Sequence, residues 1–348
     1  MTSLAQLLPI DWILACVALL LAVGGVGVVR PHNLFLVARV LFPLGAALSL
    51  LIAMAALTAL FSVPQIAILP LGLPGLPFHL RLDPLSAFFL FLFGGTTAGI
   101  SIFAAGYFRK GEGTPPGLLC LQYHVFVASM ALIMLADDAY VFMVMWELMA
   151  LSAFFLVTAN HTIPEIRRAG YLYLLIAHIG ALALLLCFGV LQANTGDYTF
   201  ANMRAQELTP FWASIAFVLA LFGFGAKAGI VPLHIWLPEA HPAAPSPVSA
   251  LMSGVMLKTA IYGLLRIGFE VLQLQLAWWG VLALILGLVT ALFGVVFSAI
   301  QSDMKRLLAY SSIENIGLLL IGIGLALLFV SYGTSALAAL ALTAVLYH

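Results

Sequence analysis

The amino-acid sequence predicts an all-α polytopic transmembrane helix bundle of about 11 helices, and three observations carry that expectation. First, 64% of the 348 residues are hydrophobic and only 7% are charged. Second, the mean hydropathy is +1.17, more apolar surface than a soluble chain of this length can hide in a core. Third, the apolar residues come in runs of ~20, the length that spans ~30 Å of hydrocarbon. Helices are expected near 11–29, 34–62, 85–106, 118–136, 139–160, 169–192, 211–240 (broken), 247–268, 276–300, 305–330 and 334–348. The N-terminus has no basic stretch and no small-residue cleavage site, so 11–29 is expected as a retained helix. The last run stops at Leu346-Tyr347-His348 without a cap or a polar tail, and a longer parent chain is expected.

Charge narrows the function. Basic and acidic residues balance at 13 each, which leaves no electrostatic footprint for nucleic acid. Cys16, Cys120 and Cys187 stand alone in apolar runs with no metal spacing, so they are expected to pack. The eight histidines show no repeated pairing across helices, which argues against a haem-binding cytochrome. No cofactor and no metal site is expected.

The loops set an orientation. One side carries Arg30, Arg39, Arg109, Lys110, Arg167, Arg168, Lys305 and Arg306; the other carries Arg81, Arg204 and Arg266. That asymmetry puts the N-terminus outside and the first set in the cytoplasm. Cysteines placed at Asn194 and Glu112 should therefore label from opposite faces, with Asn194 outside. Labelling of both from one face would overturn the helix count. The outer loop at 63–83 is proline-rich and then alternates through Phe78-His79-Leu80-Arg81-Leu82-Asp83, the period of a short extended strand.

Three ionisable residues lie inside apolar runs. Lys227 sits in FWASIAFVLALFGFGAKAGIVPLHIWLPEA, five residues before Pro232. A lysine at membrane depth costs roughly 2.5–3.5 kcal/mol on insertion scales and marks a functional site by default. Proline removes a helix hydrogen bond there, and irregular backbone survives only where protein or a wet cavity covers it. Glu147, in FMVMWELMALSAFF, lies ~12 Å into its helix at 1.5 Å per residue. Lys258, in SGVMLKTAIYGLLR, lies at similar depth in the next helix after the break. Burial disfavours the charged form of each group, and an opposite charge nearby restores it. A Glu–Lys pair whose separation changes is thus a means of loading and unloading a proton, a task to which lysine is suited and arginine is not. A static buried ion pair and a snorkelling lysine are the competing readings. His234 follows the break as a relay or as a satisfied buried histidine. His178 and His124 are expected to pack or bond between helices. Glu314, in SSIENIGLLL, is deep enough to be a secondary candidate. Asp137-Asp138 and Arg167-Arg168 are expected to mark helix ends.

KAGIVPLHIWLPEAHPAAPSPVSALMSGVMLKTAIYGLLR (227–266), SDMKRLLAYSSIENIG (302–317), LDPLSAFF (82–89) and the pair Trp146-Glu147 together resemble the antiporter-like, proton-translocating membrane subunits of respiratory complex I and group 4 hydrogenases. The ENIG wording and the run from His241 are most similar to the large membrane subunit of hydrogenase-4 and formate hydrogenlyase complexes. The resemblance implies two inverted five-helix repeats, each with a broken helix. Residues 1–117 would hold three N-terminal helices and the outer loop, 118–268 one complete repeat, and 276–348 part of the second. It implies that Glu147 and Lys227 form a coupled ion pair, that Lys258 continues the path, and that His348 begins a further family segment. It also implies other membrane subunits as partners, a bacterial inner membrane, protons as cargo and no redox centre in this chain. A multisubunit sodium/proton antiporter shares the same signature helices.

Overall fold

Proline at the first helical position has no intrahelical donor to lose and a φ already suited to the helix. Pro9, Pro84, Pro116, Pro164 and Pro210 each open a helix in this way. Asp83, the residue before Pro84, caps that same helix, and Asp138 and Asp303 cap two others, accepting from the backbone N–H groups of Ser86, Val141 and Arg306. The computed structural model describes residues 8–108, 113–193 and 195–348. Arg109, Lys110 and Glu112 of the basic loop and Asn194 lie outside the described residues.

The chain is a polytopic helical membrane bundle. Among the described residues, ten helices are long and apolar enough to cross a membrane, and a shorter apolar helix follows. They are α1 Pro9–Val29, α2 Leu34–Ala59, α3 Pro84–Tyr107, α4 Pro116–Leu135, α5 Ala139–Val157 and α6 Pro164–Leu191. A short surface helix, α7 Phe200–Ala205, leads to α8 Pro210–Ala228; after the break come a 3₁₀ turn, Leu233–Trp236, and α9 Leu237–Ala243. Then follow α10 Ser246–Val271, α11 Ala277–Ala299, α12 Met304–Ser331 and α13 Ser335–Tyr347. Helix α6 begins five residues before the expected 169, because the polar Pro164-Glu165-Ile166-Arg167-Arg168 segment is already helical.

Two compact units share these helices. One comprises Met1–Tyr171 and Ala243–Val255, the other Leu172–Pro242 and Met256–His348. In the first, α1 packs on α4 and α2, and α2 on α3. The expected strand is half of a hairpin, β1 Gln65–Leu73 paired antiparallel with β2 Leu76–Leu82 in the register Gln65↔Leu82, with an irregularity between Leu69 and Gly72. Charge anchors it: Arg81 bridges Asp83 at 3.2 Å and Asp137 at 3.1 Å. Asp138 caps α5 and also accepts from the His79 backbone N–H at 2.9 Å. Asp137-Asp138 thus does more than end a helix; it seats the hairpin on the turn between α4 and α5.

In the second unit, glycines bring α11 and α12 together. A Cβ on Gly280 would stand 2.7 Å from the Gly324 carbonyl oxygen, and one on Gly287 would stand 2.7 Å from Ile321 N. A Cβ on Gly294 would collide with the Glu314 backbone, and one on Gly317 with that of Ala291. Small residues that let backbones meet are a principal source of helix association in lipid. Arg266, counted with the loops on sequence, is buried in the last turn of α10 at 2% exposure. Tyr262 Oη accepts from its Nη2 at 2.8 Å, and Glu270 pairs with both Arg266 and Arg204.

Candidate functional site

Helix α8 ends before Pro232 is reached. Gly229 adopts the left-handed conformation, φ 85° and ψ 37°, and terminates the helix at Ala228. The N–H groups of Gly229 and Ile230 both return to the Gly225 carbonyl at 2.9 Å, the closure typical of a glycine-ended helix. The break frees further backbone groups, and side chains take them up. Trp236 Nε1 donates to the Ala226 carbonyl at 2.9 Å. The Val231 N–H donates to Thr290 Oγ1 on α11 at 3.2 Å. Irregular backbone at this depth is thereby satisfied by protein.

Lys227 lies in the last turn of α8, halfway along the 34-residue span Pro210–Ala243, and is 2% exposed. Its Nζ donates to Tyr173 Oη on α6 at 2.8 Å and stands 4.8 Å from that ring's centroid. A helix C-terminus carries a partial negative charge, which favours a cation there by up to ~2 kcal/mol in partly buried settings. A charge-assisted hydrogen bond adds about 1.5–3 kcal/mol. These contributions match the roughly 2.5–3.5 kcal/mol cost of a lysine at membrane depth, so the fold holds the ammonium in place instead of letting it snorkel.

The other residues singled out on sequence have the following surroundings. Glu147 is half-buried on α5 in the first unit, beside fully buried Trp146, whose ring stacks on Phe142 at 5.5 Å. Lys258 is half-buried on α10, two residues beyond a π-helical turn at Met252–Met256. His234 is 9% exposed on the 3₁₀ turn, edge-on to Phe293 at 4.5 Å. His348 Nε2 lies 2.9 Å from Asn315 Oδ1, next to half-buried Glu314 on α12. His178 is exposed, with Nδ1 3.0 Å from the Leu174 carbonyl of its own helix. The structure thus brings Lys227 to Tyr173, and His348 to Asn315.

Tyr173, Trp236 and Thr290 were not among the residues chosen from the sequence. Trp236 carried a signal, since an indole N–H in an apolar stretch needs an acceptor. Tyr173 carried none: Tyr171 and Tyr173 read alike in YLYLL, yet the first is 66% exposed and the second 1%.

A family model described as NADH:quinone oxidoreductase/Mrp antiporter, TM, matches residues 136–347. Hydrogenase-4 component B of Escherichia coli (strain K12) is 41% identical over 271 residues, covering 77% of this chain and 40% of that protein. Formate hydrogenlyase subunit 3 of the same organism is 33% identical over 273 residues, covering 78% and 43%. Among solved structures, the Mrp complex from Dietzia sp. DQ12-45-1b holds a chain that superposes with a TM-score of 0.77 at 27% identity, over 96% of this chain and 37% of that one. The chain spans less than half the length of these relatives.

Proposed function

The chain belongs to the NADH:quinone oxidoreductase/Mrp antiporter transmembrane family, and from that premise we propose that it is a proton-translocating membrane subunit of a multisubunit, hydrogenase-4-like oxidoreductase. The single observation that carries this reading is Lys227, fully buried at a helix break halfway through a membrane span. A packing role has no need of an ammonium there; a proton carrier does. In this reading partner subunits perform the electron transfer. Their turnover shifts the Glu147–Lys227 pair and releases a proton toward Lys258, with His234 beside the path and Glu314 and His348 belonging to the second repeat. The repeats occupy 118–268 and 276–348, and the chain lies in a bacterial inner membrane with its N-terminus outside. The partners are other membrane subunits of such a complex. Similarity to hydrogenase-4 component B favours this assembly; the fold shared with the Mrp complex keeps a sodium/proton antiporter subunit as the second reading.

The two readings separate on the ion. Sodium is held by several hard oxygen ligands, whereas the proposed path runs through lysines. Turnover of the assembled complex at constant pH is therefore expected to be indifferent to sodium. An absolute requirement for sodium would favour the antiporter reading.

A further inference from the structure

Tyr173 touches both lysine-bearing elements. It accepts from Lys227 Nζ at 2.8 Å, and its own hydroxyl donates to Met256 Sδ at 3.8 Å. Met256 closes the π-helical turn of α10 and lies two residues before Lys258. The ring is 1% exposed and is held edge-on against Trp236, with centroids 5.1 Å apart, while the Trp236 indole is itself tied to the Ala226 carbonyl in the broken helix. The phenol is therefore fixed in place, and the torsion of its hydroxyl hydrogen is its remaining freedom.

That freedom has a consequence. A thioether is a weak acceptor, and an ammonium donates without accepting. While Lys227 is protonated, the hydroxyl proton can point only toward Met256 within this trio. A neutral amine acquires a lone pair, and the stronger bond is then from the Tyr173 hydroxyl to Nζ. Deprotonation of Lys227 thus reverses one hydrogen bond and releases the contact to the π turn. Such turns occur often at functional sites.

We propose that Tyr173 is the positioning residue that holds Lys227 at the break and links its charge state to the helix carrying Lys258, through the hydroxyl it shares between Lys227 and Met256. The inference rests on the translocation role proposed for Lys227.

Tyr173→Phe keeps the ring and removes only the oxygen. The complex that co-purifies with the tagged chain would be placed in proteoliposomes, and protons translocated per electron transferred would be measured across a range of pH. Tyr173→Phe is expected to lower that ratio at least about tenfold, the lower end of what one charge-assisted hydrogen bond carries, to displace the pH profile of translocation, and to leave electron transfer intact. Met256→Leu, of similar volume but without the acceptor, is expected to lower the ratio less. A wild-type ratio and pH profile in Tyr173→Phe would overturn the inference, as would reduced recovery with a normal ratio per assembled complex. Should Tyr173→Phe not assemble, a wild-type ratio in Met256→Leu would overturn it. If Lys227→Ala stops translocation and Tyr173→Phe does not affect it, only this inference fails; if Lys227→Ala translocates normally, the proposed function fails with it.

Discussion

Lys227→Ala is expected to abolish proton translocation in the assembled complex while leaving assembly largely intact. The substitution removes a costly buried charge together with the helix-terminus and hydrogen-bond contributions that offset it, so the net change in the fold is small. Gly229, Trp236 and Thr290, which hold the break, do not depend on the lysine. Lys227→Arg is the sharper test. Its guanidinium stays protonated at any working pH. A carrier fails with arginine; a fixed structural cation tolerates it. Glu147→Gln should also impair translocation by removing the countercharge proposed for Lys227. The deciding measurement is proton translocation in proteoliposomes, normalised to assembled complex. Wild-type pumping by Lys227→Arg would end the proton-loading role of Lys227.

Gly317→Ala is expected to prevent stable folding of the second unit. The new methyl group would collide with the backbone nitrogen and Cα of Ala291, and backbone cannot rotate away as a flexible side chain does. Overpacking of this kind costs typically about 1–3 kcal/mol and more when backbone must shift. Gly99→Ala is the control, since a Cβ at that position of α3 meets nothing within 4 Å. Monodisperse recovery in detergent and the midpoint of thermal unfolding should fall for Gly317→Ala and hold for Gly99→Ala. Equal behaviour of the two variants would contradict the close approach of α11 and α12.

The spans were legible because each is a long apolar run, and hydropathy needs no partner to be read. Their ends were less so. Helix α6 begins in the polar Pro164–Arg168 segment, where start signals outweigh hydropathy. The break was foreseen from Pro232, but its position is set by Gly229, three residues earlier. Strand β2 announced itself by alternation, whereas β1 is interrupted by Pro70 and bends between Leu69 and Gly72. The candidate site was half visible. Charges in apolar runs stand out, so Glu147, Lys227 and Lys258 were singled out. Tyr173 was not, because an aromatic residue in an apolar helix looks the same whether it faces lipid or an ammonium. The glycines at 280, 287 and 294 recur every seven residues, a periodicity that a search for charge passes over.

Those glycines bear on how the protein is made. Helices α11 and α12 meet backbone to backbone, and residues 300–303 alone connect them. Their mutual contact needs no third helix, and the outer face of α11 stays open, with Leu288, Leu292 and Val296 half or more exposed. During synthesis the pair is complete as soon as Ser331 has been added. It can close as a hairpin at the insertion site before α13 arrives, and nascent chain is removed early from the pool of unpaired helices that misassemble.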